Sequence, residues 1–185
     1  MDEWKEVLKF WFEETDEKKW FAKDENFDED IRKRFGELHK LASHGALENW
    51  MREAESALAL VIVLDQFSRN MFRDKSQAFA QDSLARDYSE QAIEKGFDLK
   101  LDGKRRAFFY MPFMHSENIE DQDKSVEFFE HLAKHDPKEK GYLAYAKKHR
   151  DIIEKFDRFP HRNRILKRES TPEEEEFLTK EGSSF

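Results

Sequence analysis

The sequence predicts an all-α fold: a single domain over residues 1–185, built as stacked antiparallel helical hairpins around one buried central helix. Three observations carry this. The stretch Ala57–Arg73, ALALVIVLDQFSRNMFR, is apolar on every side in its first half, so it offers no face to water and needs other helices around it. Elsewhere apolar residues recur at three- and four-residue spacings, the period of a helix with one inward face. No Val/Ile/Thr-rich alternating run and no Asn-Gly turn speaks for strands. A chain of 185 residues is the size of one domain and can bury about 70% of the surface its unfolded form exposes.

Each element follows from its own residues. Trp4, Val7, Leu8, Trp11 and Phe12 define a first helix. A second is expected from Phe27, with Ile31, Phe35, Leu38 and Leu41 inward, until Ser43-His44-Gly45 stops it. The central helix is expected to enter at Asn49 or Glu53 and to end near Asp74. Asp82 reads as the N-cap and Gly96 as the stop of a helix burying Leu84, Tyr88 and Ile93. KRRAFFYMPFMHSE is a second buried rod, whose Pro112 removes one ladder hydrogen bond. A helix from about Asp121 to His135 closes before Asp136-Pro137, and a further one over 138–156 carries Tyr142, Leu143, Tyr145, Ile152, Ile153 and Phe156 on one broad side until Pro160. Thr171-Pro172-Glu173-Glu174 has the signature of a capping box opening a short last helix. SEQAIEKG and FFEHLAKHDP are similar to closing helices of tetratricopeptide units, at a spacing longer than the roughly 34 residues such repeats keep.

Composition narrows the functional classes. The formal net charge of −8 argues against a broad nucleic-acid surface, which needs clustered Lys and Arg. The absence of cysteine excludes disulfides, iron–sulfur clusters and thiolate zinc sites. The acidic, amphipathic start lacks the pattern of a secretion signal, and the longest charge-free run, 107–116, is too short for a bilayer. The expected location is the cytoplasm, with no membrane partner. GxSxG, Walker, GxGxxG, HExxH and Glu-x-x-His patterns are all missing, so no metal and no cofactor is expected. His149-Arg150-Asp151 matches a kinase catalytic tripeptide but lies within a helical pattern.

Chemistry can concentrate where apolar segments run into polar clusters: VIVLDQFSRN, FFYMPFMHSEN and DRFPHRN. If their polar ends meet, Asp65, Arg69, Asn70, Arg73, His115, Glu117, His161, Arg162 and Asn163 are the candidate ligand-binding residues. Arg69, Arg162 and Arg73 would grip a carboxylate or phosphate in forked geometry, with His115 or His161 able to move a proton. From His149 to Arg168 seven Lys or Arg face three acids, a local basic excess on an acidic chain. The structural alternative is that Asp65 pairs with Arg69 one turn away, while His and Asn residues cap helix ends.

FWF near the start, WFAKDENFDEDIRKRF, LALVIVLDQFSRN, RAFFYMPFMHSEN, HRDIIEKFDRFPHRN and RESTPEEEEFL with GSSF together resemble a bacterial family catalogued as a domain of unknown function, number 924. The resemblance spans nearly the whole chain and implies a tetratricopeptide-like all-helical fold, with no established reaction, substrate or cofactor. The family pattern has Pro after DQF and Gly after FWF, where this chain has Ser68 and Glu13. It also implies that the terminal GSSF belongs to the domain, so Phe185 is expected to pack against the body. The functional expectation is a binding protein for a small anionic molecule or a charged peptide end. The alternatives are a hydrolase-type enzyme in which an imidazole, oriented by Asp65 or Glu117, activates water, and an interaction scaffold whose polar cluster is purely structural.

Overall fold

The computed structural model describes residues 2–183, and every regular element among them is helical. The contacts divide into two compact units: one comprises the chain up to Arg73 with Gln77–Pro112, the other Asp74–Ser76 with the chain from Phe113 onward.

In the first unit α1 (Glu3–Lys9) runs on as a π-helical turn, Phe10–Glu14. Helix α2 (Glu25–Ser43) begins before the expected Phe27, because the Asp24 carboxylate accepts the N–H groups of Asn26 and Phe27 and so caps two orphan donors. The central rod is α3 (Ala54–Ile62), a π-helical turn over Val63–Phe67, and α4 (Ser68–Met71). Every residue from Ala57 to Leu64 has 0% exposure, as a rod without a polar face requires. Helices α1 and α2 and the following α5 (Asp82–Glu94) surround it. The rod stops after Met71, and Asp74 takes a left-handed φ of 62°.

Three expectations in this unit are corrected. Asp82 is the first residue of α5 rather than its cap, because its carboxylate is held by Arg69. Leu84 and Ile93 are only half-buried, although Tyr88 is buried. Leu41 is 46% exposed, since the inward stripe of α2 closes on Leu38, His39 and Ala42. Gly96 does end α5, at φ 67°. Helix α6 (Gly103–Met114) carries Pro112 internally, and the boundary between the units falls there. Its Phe108 meets Trp11 and Trp20 edge-on while those two indoles stack 5.8 Å apart, an edge-and-face arrangement that packs three bulky rings together.

In the second unit α7 (Ile119–His135) is capped by the Asn118 side chain, and α8 (Lys140–Phe156) returns antiparallel to it. Asp123 pairs with Arg150, Glu130 with Lys147, and Phe129 stacks on Tyr142 at 5.7 Å. The buried face of α8 is Ala146, His149, Ile152 and Ile153; Tyr145, expected inward, is 55% exposed because it lies one position off that stripe. Helix α8 ends at left-handed Asp157, and α9 (Pro172–Leu178) opens with the capping box of Thr171 and Glu174. Ile152, Ile153 and Phe159 form a core with Phe156 and Phe177 against it. Ser183 is buried, whereas Phe185, and with it the expectation that it packs, falls outside the described residues.

Candidate functional site

The polar end of the central rod is a network of ion pairs within the first unit. Arg69 forks onto both Asp82 oxygens at 3.0 and 3.1 Å, and its Nη1 also reaches the Asp65 carboxylate and carbonyl, each at 3.0 Å. Asp65, 1% exposed, accepts a further bond from Gln66 at 2.6 Å. Burial alone would pull the Arg69 guanidinium pKa down; the Asp65 and Asp82 carboxylates outweigh it and the net shift is upward. Arg73 binds both oxygens of buried Asp28, at 2.5 and 2.8 Å, and Asn70 donates to the same carboxylate at 2.8 Å. Ser68 donates back to the Leu64 carbonyl at 2.6 Å, and His39 lies 2.7 Å from its oxygen. Burial lowers the His39 pKa.

The other two polar ends do meet, in the second unit. The backbone N–H of Phe159 donates to Glu117 at 2.8 Å, and Arg162 Nη2 donates to the His115 carbonyl at 2.9 Å. Gln122 steadies the same turn by donating to the Met114 and Ser116 carbonyls. Phe159, 0% exposed, is the hub: the Arg162 guanidinium stands 4.6 Å from its ring centroid, the His149 ring 5.5 Å and the His161 ring 5.7 Å. His149 in turn lies 6.4 Å from His115. Its Nδ1 donates to the Tyr145 carbonyl at 2.8 Å, which leaves the lone pair on Nε2. Burial, and then the neighbouring His115, Arg162 and His161, push the His149 pKa down to about 3, so this imidazole is neutral near neutral pH.

A second layer fixes this hub. Arg168 forks onto Glu117 at 2.7 and 3.0 Å and donates to Asn163 at 2.9 Å. Asn163 donates to Ser170 and to Glu174, and Arg158 grips both Glu174 oxygens at 2.6 and 2.7 Å. Burial pushes the Glu117 pKa up, but Arg168 and the Phe159 N–H more than reverse it. Arg158 first, with the Thr171 N–H and Asn163 behind it, holds Glu174 at about 2.

The residues that sequence reading missed are Asp28 and Asp82, whose carboxylates take Arg73 and Arg69, and His149, Arg158 and Arg168 in the second unit. His149 was legible: it lies on the same helical stripe as Ala146 and Ile152–Ile153, which puts an imidazole on a buried face. Among the described residues no group of three or more His, Asp or Glu is placed to hold a metal ion, and no helix is long and apolar enough to cross a membrane. An open depression of about 410 Å³, lined by Lys19, Asn26, Phe27, Glu29, Asp30 and Lys33, shares no residue with either cluster.

Residues 7–182, which span both units, match the family described as "Bacterial protein of unknown function (DUF924)". The chain belongs to the DUF924 family. A solved structure of a protein of unknown function from Agrobacterium tumefaciens is similar to this DUF924 chain at 42% identity and a TM-score of 0.87, covering 95% of this chain and 96% of that one. Comparison with proteins of curated function gives no match. DUF924 membership and this likeness establish an all-helical fold and bring no activity with them, so any function has to be argued from the two clusters.

Proposed function

We propose that the protein binds a small anion, a phosphate or a carboxylate such as a peptide terminus, at the His115, His161 and Arg162 end of the second unit. The observation that supports this is the gathering of Arg162 and His161 around the Phe159 ring, with His115 beside the neutral His149, which packs there and offers no donor of its own. Guanidinium and imidazole groups are the donors that recognise such anions. Phe159 and the Glu117–Arg168 pair hold them in place before a ligand arrives, which lowers the ordering cost of binding. Asp65, Arg69, Asn70 and Arg73 act in this reading as a structural clasp, because the forks of both arginines are directed at carboxylates of the chain itself.

Binding is preferred over water-activating catalysis for a geometric reason. The carboxylates expected to orient an imidazole are engaged elsewhere: Asp65 by Arg69 and Gln66, Glu117 by Arg168 and the Phe159 N–H. A tetratricopeptide-like stacking of hairpins is part of the proposal, supported by the antiparallel α7–α8 pair. A cytoplasmic location is part of it too, supported by the acidic, cysteine-free sequence.

Native mass spectrometry of untagged protein for a retained small molecule, followed by a thermal-shift panel of phosphate, sulfate, carboxylates and nucleotides, tests the reading. A ligand at a hundred times its Kd adds about 2.7 kcal/mol. For a chain of this size that raises Tm by about 5–10 °C. The expected result is such a shift, lost in His161→Ala. No shift across the panel, or one that survives in His161→Ala, contradicts it.

A further inference from the structure

Helix α7 ends on two imidazoles that the anion cluster does not use. His131 and His135 are one helical turn apart and both exposed, with ring centroids 4.2 Å apart and planes inclined by 32°. His135 Nδ1 lies 2.8 Å from the His131 carbonyl, which can only accept, so Nδ1 carries the proton and the lone pair of the neutral ring is on Nε2. This is the arrangement of a metal-ligating histidine whose second nitrogen is held by a backbone carbonyl. The pair occupies the last turn of a 17-residue helix, where the unpaired carbonyls favour a cation. Around it stand Lys134 in the same turn, Asp136 at the C-cap, Glu127 one turn back on the same stripe, and Glu130 with its partner Lys147 from α8.

We propose that His131 and His135 form a two-histidine chelating site for a borderline divalent transition cation, with affinity rising from Zn²⁺ through Ni²⁺ to Cu²⁺. Residues at i and i+4 share a helix face, so small side-chain rotations bring both nitrogens to the roughly 2.0–2.1 Å that imidazole keeps from such ions. No third side chain among the described residues completes the sphere. Water, or a donor from another molecule, therefore occupies the remaining positions. Coordination requires neutral imidazoles, so acid weakens it.

The test is titration of untagged full-length protein with Ni²⁺ and Cu²⁺ at pH 7.5 by calorimetry, with His131→Ala, His135→Ala and, as a control for the buried cluster, His161→Ala. Both target rings are exposed, and circular dichroism confirms that the variants fold. The expected result is one equivalent bound, weakened at least about tenfold, roughly 1.4 kcal/mol, in each of the first two variants and unchanged in His161→Ala. Equal affinity in wild type and His135→Ala, or loss in His161→Ala instead, overturns the proposal.

Discussion

The two polar clusters begin from the same device, an apolar segment running into charge, and end differently. The clasp of the first unit sets two arginines, Arg69 and Arg73, against three carboxylates, Asp28, Asp65 and Asp82. The cluster of the second unit sets Arg158, Arg162 and Arg168 with three imidazoles against Glu117 and Glu174. An acid-rich cluster satisfies its own cations and ties segments together. A base-rich cluster, in which burial first and neighbouring His115, Arg162 and His161 second keep His149 neutral, is the one proposed to take an anion. In the proposed reading, two similar sequence signals separate into a clasp and a candidate site according to the carboxylates that reach them.

The largest effect that can break this contrast is in the clasp. Arg69→Ala leaves Asp65 buried without its cation and is expected to cost about 3–5 kcal/mol in chemical denaturation, as breaking a buried pair does. Loss of ligand response without loss of stability would move Arg69 from clasp to site. His149 comes next. Its folded pKa is below its unfolded one, so the unfolded chain binds the proton first; stability is full above about pH 6.5 and falls as pH drops toward 3. The slope reaches about 1.4 kcal/mol per pH unit, and His149→Phe should flatten it in urea melts at pH 7, 5 and 4. Glu174 works in a more acidic window: its stabilisation is present above about pH 4.5 and lost as pH falls toward 2, so Glu174→Gln should remove the acid dependence there. The smallest change is Arg73→Lys, which replaces the fork on Asp28 by a single ammonium; a loss of about 1–2 kcal/mol in the same melts is expected.

The sequence made the rod, the order of helices and the stops at Gly96 and Asp136 legible, because periodicity and caps are local signals. The capping box at Thr171 was legible for the same reason. The partners of Arg69 and Arg73 were not: Asp82 and Asp28 each occupy an ordinary helix-opening position, where a carboxylate is expected for the dipole alone. Which of the two roles such an acid takes depends on distant chain. Tyr145 and Leu41 were misassigned because an apolar stripe one residue too wide still fits a helical period. The meeting of His115, Glu117, His161 and Arg162 follows from repeated local design, but Arg168 completes it from what looks like a basic tail, and His149 from a helical stripe whose inward imidazole is masked by a coincidental tripeptide.

Calorimetric titration of inorganic phosphate into wild type, Arg69→Lys and His161→Ala bears most directly on the contrast between clasp and site. With Arg69 a clasp and His161 in the site, the expected result is binding by wild type and Arg69→Lys and a loss of at least about tenfold, roughly 1.4 kcal/mol, in His161→Ala. No binding by wild type, or binding lost in Arg69→Lys and kept in His161→Ala, would contradict it.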